Sequence, residues 1–287
     1  MRPRATVLLL SAAAAIALAA IVSVLAWTRD RSLDRARTVG IRIGYAVEPP
    51  YAFVTDAGEV TGEAPEVARV VAKRLGIRRV TWEVSEFGAL LPELIAGRFD
   101  VVAAGVFITP EREREVSFSA PTFRVRQALL VQRGNPLGLH TYGDAVSRPE
   151  VRVAAIDGSV EAGLLRTLGL QEDRLVLVPD ARAGQRALQA GLVGGLALSS
   201  PAVRWLALND RLGSTEPASP FAAPATELVG QLGHGAVVFQ KGDVALRRAW
   251  NRELAAFLGT PEHQRLVGRF GFTSAELAQP PASEGEP

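Results

Sequence analysis

Three aromatic residues and one arginine occupy corresponding places along this chain. Tyr51, Phe87 and Phe107 each follow an apolar, strand-like run within a few residues, and Arg112 comes about one helical turn after Phe107. The face of an aromatic ring attracts a delocalised or alkylated cation, each contact contributing roughly 0.5–2 kcal/mol depending on desolvation. An arginine fork holds a carboxylate by two parallel hydrogen bonds. Rings and fork in one crevice therefore suit a small zwitterion. Taken singly, each ring is as readily core filler, and Arg112 has Glu111, Glu113 and Glu115 as alternative partners on its own helix. Their coincidence at successive strand ends is what marks a site. Glu48, ahead of Pro49 and Pro50, either accepts a hydrogen bond from a ligand nitrogen or ties down its own loop. Asp157-Gly158-Ser159 before a helix offers N–H groups and the Ser159 hydroxyl to an anionic group, or forms an ordinary helix cap.

The elements that must position these residues alternate between strand and helix. Strands are expected at 40–47, 80–84 and 100–106. Between them a helix carries Val67, Val70, Val71 and Leu75 on one face, and a second runs through Leu90, Leu91, Leu94 and Ile95 to a cap at Gly97. Thr109-Pro110-Glu111 opens a short helix, with Thr as cap, Pro at the first helical position and acids at the positive end of the dipole. A second cycle has strands at 151–156, 175–178 and 195–198, with helices over Leu164, Leu165 and Leu168 and over 183–190. The polar, Pro-rich stretch 214–224 reads as a surface loop; a strand at 235–239 and a helix at 243–258 follow, the helix burying Leu246, Trp250, Leu254 and Phe257. Such alternation produces α/β layers, and in open α/β sheets ligands bind beyond the carboxyl ends of the strands.

A chain of 287 residues with 48% hydrophobic content exceeds one compact domain of roughly 100–150 residues. The net charge of +2, with arginines scattered among acids, leaves no basic stripe for nucleic acid. The lack of cysteine excludes disulfides, thiolate metal sites, a cysteine nucleophile and a lipid-modified cysteine. His140, His234 and His263 are too dispersed to suggest a metal, and no cofactor motif is present. After Arg2 and Arg4 no charge occurs from Ala5 to Trp27, so residues 1–27 read as a signal peptide or an uncleaved signal anchor; export follows from either. Residues 28–39 are expected as a linker, and 279–287 as a disordered tail rich in Pro, Ser and Glu.

Residues 44–51, Gly97-Arg98-Phe99-Asp100, 109–112, Phe118-Ser119-Ala120-Pro121 and 235–246 together resemble the polar amino-acid type, family 3, of ABC-importer solute-binding proteins. The resemblance extends over about 40–272 and implies an α/β, two-lobed periplasmic-binding-protein fold of type II, each lobe a parallel-rich sheet flanked by helices, with two hinge crossings. Lobe 1 would comprise 40–130 plus 233–278, and lobe 2 131–232. It further implies an extracytoplasmic, monomeric protein that is not an enzyme and delivers its ligand to an ABC permease. The runs at 85–90, 104–107 and 134–139 look most like the ectoine and hydroxyectoine binding proteins. That likeness makes Tyr51, Phe87 and Phe107 cage walls, Arg112 the carboxylate partner and Glu48 the partner of a ring nitrogen. In their pattern the first wall is usually Phe and the second Tyr, the reverse of Tyr51 and Phe87. Relatives that bind α-amino acids hold the ammonium by a hydroxyl and a second-lobe acid; the matching positions are Phe107 and Ser199, which favours an ectoine-like ligand. A polar amino acid or a betaine is the alternative ligand. A cyclohexadienyl or arogenate dehydratase-like enzyme is the remote alternative, set aside because Glu48 is the only acid the sequence places in the cleft and catalysis needs a positioned general acid.

Overall fold

The computed structural model describes residues 30–224 and 233–277, so the expected signal or anchor at 1–27 and the tail at 279–287 lie outside the described residues. Helix α1 (Ser32–Thr38) leads into β1 (Ile41–Tyr45); a small hairpin, β2 (Phe53–Val54) and β3 (Val60–Thr61), precedes α2 (Glu63–Arg74). Then come β4 (Val80–Val84), α3 (Leu90–Ile95), β5 (Val101–Val102), α4 (Pro110–Glu115) and β6 (Ser117–Phe118). After β7 (Phe123–Arg124), the middle of the chain forms β8 (Gln127–Gln132), α5 (Tyr142–Val146), β9 (Val153–Ile156), α6 (Val160–Thr167), β10 (Leu175–Val178), α7 (Ala181–Gln189), β11 (Gly195–Ser199), α8 (Ser200–Leu208) and β12 (Thr215–Pro217). The last part supplies β13 (His234–Gly235), β14 (Val238–Phe239), α9 (Val244–Phe257) and α10 (Pro261–Gly268).

Two five-stranded sheets result, ordered β4-β1-β5-β14-β6 and β10-β9-β11-β8-β12, one to each lobe. Both follow one rule: three strands pair in parallel and the remaining two pairings are antiparallel. Insertion of β14 between β5 and β6 returns the C-terminal segment to the first lobe. Helix α9 follows it and buries Leu246, Ala249, Trp250, Leu254 and Phe257, with Trp250 edge-on to Phe239 at 5.6 Å.

Several elements depart from expectation for identifiable reasons. The third strand, expected at 100–106, is only Val101–Val102, because Gly105 at φ +69° turns the chain against Tyr51. Ala103, Ala104 and Val106 stay buried in that turn, so their apolar pattern imitates a strand. The loop expected at 214–224 contains β12, an edge strand on β8 that tolerates Pro217 at its end. The strand expected at 235–239 is divided between two partners, β13 on β7 and β14 on β5 and β6. The expected linker 28–39 holds α1, which is docked on α9: the Asp30 carboxylate accepts from the N–H groups of Ser32 and Ala245, and Ser32 Oγ accepts from Leu246 N–H at 3.1 Å.

The crossings between lobes pair with each other. Strand β8 belongs to the second sheet, so the first crossing falls before Gln127, and β7 within it runs antiparallel to β13 in the second. Thr122 and Val125 donate their N–H groups to the carbonyls of Gly235 and Gly233, each at 2.8 Å. Gly235 is required here, since a Cβ would lie 1.9 Å from the Phe123 ring. Gly235→Ala should therefore lower stability by about 1–3 kcal/mol through overpacking, read as a reduced urea midpoint with unchanged slope; an unaltered midpoint would show that the ribbon yields freely.

Candidate functional site

On lobe 1 the loop after β1 doubles back so that Glu48 and Ala52 form a bridge, which presents Glu48 and Tyr51 side by side. The Tyr51 ring is only 1% exposed, lying 4.9 Å from Phe123, 5.6 Å from Phe272 and 6.5 Å edge-on from Phe107. Its hydroxyl donates to Ser199 Oγ at 2.7 Å, at the end of β11 in lobe 2. Tyr51 is thus packed deep in lobe 1 and tied to the opposite lobe. Phe107, bridged to Gly235, is 6% exposed, and Phe87 is half-buried in the short turn after β4.

Arg112 is set by the cap of α4, where Thr109 accepts its backbone N–H. None of the acids on its helix takes its side chain. Nη1 donates to the Phe107 carbonyl at 2.8 Å and Nη2 to the Gly158 carbonyl at 2.9 Å, while Cζ stands 5.8 Å from the Phe87 ring centre. Arg112 therefore touches both lobes. Close approach at this point depends on two glycines: a Cβ on Gly158 would lie 2.7 Å from Gly88 Cα, and one on Gly88 would lie 3.2 Å from the Asp157 carbonyl oxygen.

On lobe 2 the Ser159 hydroxyl caps α6, accepting from Ala162 N–H at 3.2 Å, and supports Glu161 in the first turn. Glu161 is 5% exposed. Burial pushes its carboxyl up to about 7, opposed by its own N–H, by Arg112 and by the Ser159 hydroxyl. Glu48 is raised well above the usual carboxylate range by burial and then by Glu161, with Arg112 opposing. Arg112 is lowered by burial, with Glu161, Glu111 and Glu48 pulling it back. One guanidinium thus exerts its charge on a carboxyl from each lobe.

Ser199 still stands at the position matched to the relatives' second-lobe acid, but Glu161 overturns the expectation that Glu48 has no second acid near it. The sequence carried a weak sign of it: an acid two residues after a Ser cap normally complements the helix dipole in solvent. Only the apposed lobe buries it. A second acid also escaped the sequence reading. Glu63, in the first turn of α2, is 0% exposed and is driven by burial up to about 8, with the Thr122 side chain of the first crossing partly offsetting. The structure brings together Glu48, Phe87, Phe107 and Arg112 from lobe 1 and Ser159, Glu161 and Ser199 from lobe 2, with Tyr51 behind them.

Two α/β lobes on a paired hinge, with polar and aromatic groups converging where they meet, are the arrangement of a solute-binding protein. The chain belongs to the bacterial extracellular solute-binding proteins, family 3, whose model matches residues 41–273. It is 30% identical over 253 residues to a probable amino-acid ABC transporter periplasmic-binding protein, y4tE, of Sinorhizobium fredii, covering 87% of this chain and 83% of that one. Among solved structures, EhuB in complex with hydroxyectoine is 35% identical with a TM-score of 0.78, covering 85% of this chain and 94% of that one. Holo ArgBP from T. maritima, 22% identical at a TM-score of 0.69 over 83% of this chain and 99% of that one, shares the fold.

The buried acids make stability depend on pH with a definite sign. Glu63 at about 8 and Glu161 at about 7 hold protons in the folded state that an unfolded carboxyl releases near roughly 4.3. Their contribution is therefore full below the unfolded value and is lost as pH rises through the folded values. Glu63→Gln should flatten the fall between about pH 5 and pH 8, changing the gap from the parent by on the order of 3–4 kcal/mol in urea titrations. Parallel profiles for the two proteins would place the proton elsewhere.

Proposed function

We propose that this solute-binding protein captures an ectoine- or hydroxyectoine-like compatible solute outside the cytoplasm and delivers it to an ABC permease. The observation that carries the reading is the placement of Arg112 against Phe87 and Phe107, with Glu48 and Glu161 facing it from the two lobes. A guanidinium has five N–H donors, so two can remain on the Phe107 and Gly158 carbonyls while others hold a ligand carboxylate. The ligand cation would lie against the rings, with Tyr51 at the back of the cage and the carboxyls at its edge. Ser159 assists from lobe 2 by holding the turn that carries Glu161. The 35% identity to EhuB, solved with hydroxyectoine, supports the same ligand class. The uncharged run after Arg4 would export the chain and either be removed or remain as an anchor, which the mass of the mature protein distinguishes.

A second reading, a polar α-amino acid, is favoured by Glu161, since a second-lobe acid can take an α-ammonium. Thermal unfolding with ectoine, hydroxyectoine, glycine betaine, proline, arginine and glutamine separates the two. A ligand at ~100 times its dissociation constant adds about 2.7 kcal/mol, and ectoine or hydroxyectoine should give the largest rise. A rise with arginine or glutamine alone would transfer the assignment to amino acids. Arg112→Ala and Phe107→Ser should each weaken ectoine by about 30-fold or more while leaving the unliganded fold intact; full affinity in either would remove that residue from the site.

A further inference from the structure

Arginines that are scattered in the order of residues are gathered by the fold at one pole of lobe 1. Strands β1 and β4 run in parallel with Ile41 opposite Val80, so their amino ends lie together, and Ile41 donates its N–H to the Arg79 carbonyl at 2.9 Å. Their carboxyl ends lead to Glu48, Tyr51 and Phe87, which leaves about 16 Å of strand between the candidate site and this pole. Segments 35–42 and 73–79 are joined there by a 2.9 Å hydrogen bond from Arg37 Nε to the Leu75 carbonyl, and together they carry seven basic residues and no acid. Asp100 pairs with Arg35 and Arg42, and Glu262 pairs with Arg74. Among the described residues Arg37, Lys73, Arg78 and Arg79 form no ion pair within 4.0 Å, and all four are exposed. Arg37, Arg78 and Arg79 line one cleft of about 460 Å³ with Thr38, Gly40 and Val39, the last 63% exposed.

Cations in the last turns of α1 and α2 complement those helix ends. Arg78 and Arg79 lie beyond both helices, so that purpose does not account for them. Lobe 2 sets the contrast, since between Gln127 and Pro217 nine arginines are matched by nine acids. Phosphate oxygens take the guanidinium fork in pairs, so a cluster of unpaired arginines suits phosphate. A nucleic-acid duplex calls for a basic stripe, whereas this cluster is confined to one cleft at a pole. The chain also reaches the pole through α1, soon after the uncharged run 5–27. We propose that this pole of lobe 1 is a docking surface for anionic lipid headgroups, with Arg37, Arg78 and Arg79 taking their phosphates. The protein then rests on the outer face of the membrane with the junction of its lobes turned away from the headgroups, whatever solute it carries.

Because the chain has no cysteine, a dye sensitive to its surroundings can be attached at one chosen place. Val39→Cys puts it at the cleft, and Leu192→Cys, at a position 61% exposed in lobe 2, is the control. Each labelled full chain is mixed with vesicles of phosphatidylcholine alone and with vesicles containing about 30% phosphatidylglycerol. The Val39 probe should shift further to the blue on the phosphatidylglycerol vesicles, and the excess should vanish in about 1 M salt, where the Debye length is about 3 Å. A retained anchor would bring the chain to both kinds of vesicle, so the difference between them reads the patch. Arg78→Gln with Arg79→Gln, which leaves the Arg37 bond to Leu75 in place, should lower the phosphatidylglycerol-dependent affinity about 20-fold, near fivefold per charge. Equal shifts on the two vesicles, an equal excess at Leu192, or unchanged affinity in the double variant would overturn the proposal. So would release by inorganic phosphate at constant ionic strength, which would make the cleft a site for the free anion, or equally tight binding of a DNA duplex. Should the double variant not fold, the vesicle contrast of the parent and its loss in salt decide alone.

Discussion

A single guanidinium shared between two lobes is the constraint around which this molecule is arranged. Arg112 donates to the Phe107 carbonyl on one side and to the Gly158 carbonyl on the other, so each lobe satisfies part of a charge that neither could bury alone. Burial of charge is costly unless hydrogen bonds and opposite charges compensate, and here carbonyl dipoles and two nearby carboxyls do so. The raised titration of Glu48 and Glu161 has the same first cause, burial, and Glu48 is raised further by the charge of Glu161. The apposition of the lobes and the electrostatics of the site are therefore linked.

The framework holds the two lobes in register. Two sheets with the same pairing rule meet through a ribbon in which β7 and β13 hydrogen-bond to each other, so the two crossings are tied together. Glycines occupy the places where the backbone must come close to a ring or to another backbone: Gly235 beneath the Phe123 ring, Gly105 beside the Tyr51 ring, and Gly158 against Gly88. Tyr51 adds a direct tie, since its ring is locked among lobe 1 aromatics and its hydroxyl reaches Ser199. Ser199 stands where a second-lobe acid was sought, and its role is to receive that tyrosine, while the acid itself enters from the neighbouring helix α6 as Glu161.

Family 3 membership gives these parts a common purpose. Binding proteins of this fold need a pocket that is open to an arriving solute and enclosed once it is held. Residues split between lobes achieve this because neither half presents a complete set of partners. Glu63 sits behind the same apparatus, buried beside the first crossing, so a proton held there belongs to the hinge region and not to the ligand.

Much of the fold was legible in local pattern. Strands at 80–84 and 175–178 and the apolar face of α9 follow from local pattern, since short branched-apolar runs and a helix with one buried face both leave a mark on the order of residues. Periodicity misread 100–106, where a buried turn around Gly105 has the composition of a strand, and 214–224, where an edge strand has the composition of a loop. Of the site, Glu48, Phe87, Phe107 and Arg112 were visible as types recurring after strands. The cap at Ser159 was already one of the two readings its sequence offered, whereas tertiary structure alone decided the depth of Tyr51 and the burial of Glu161. Each depends on what the opposite lobe or a neighbouring turn supplies, and the contact that buries a side chain across a hinge leaves no period in the chain that carries it.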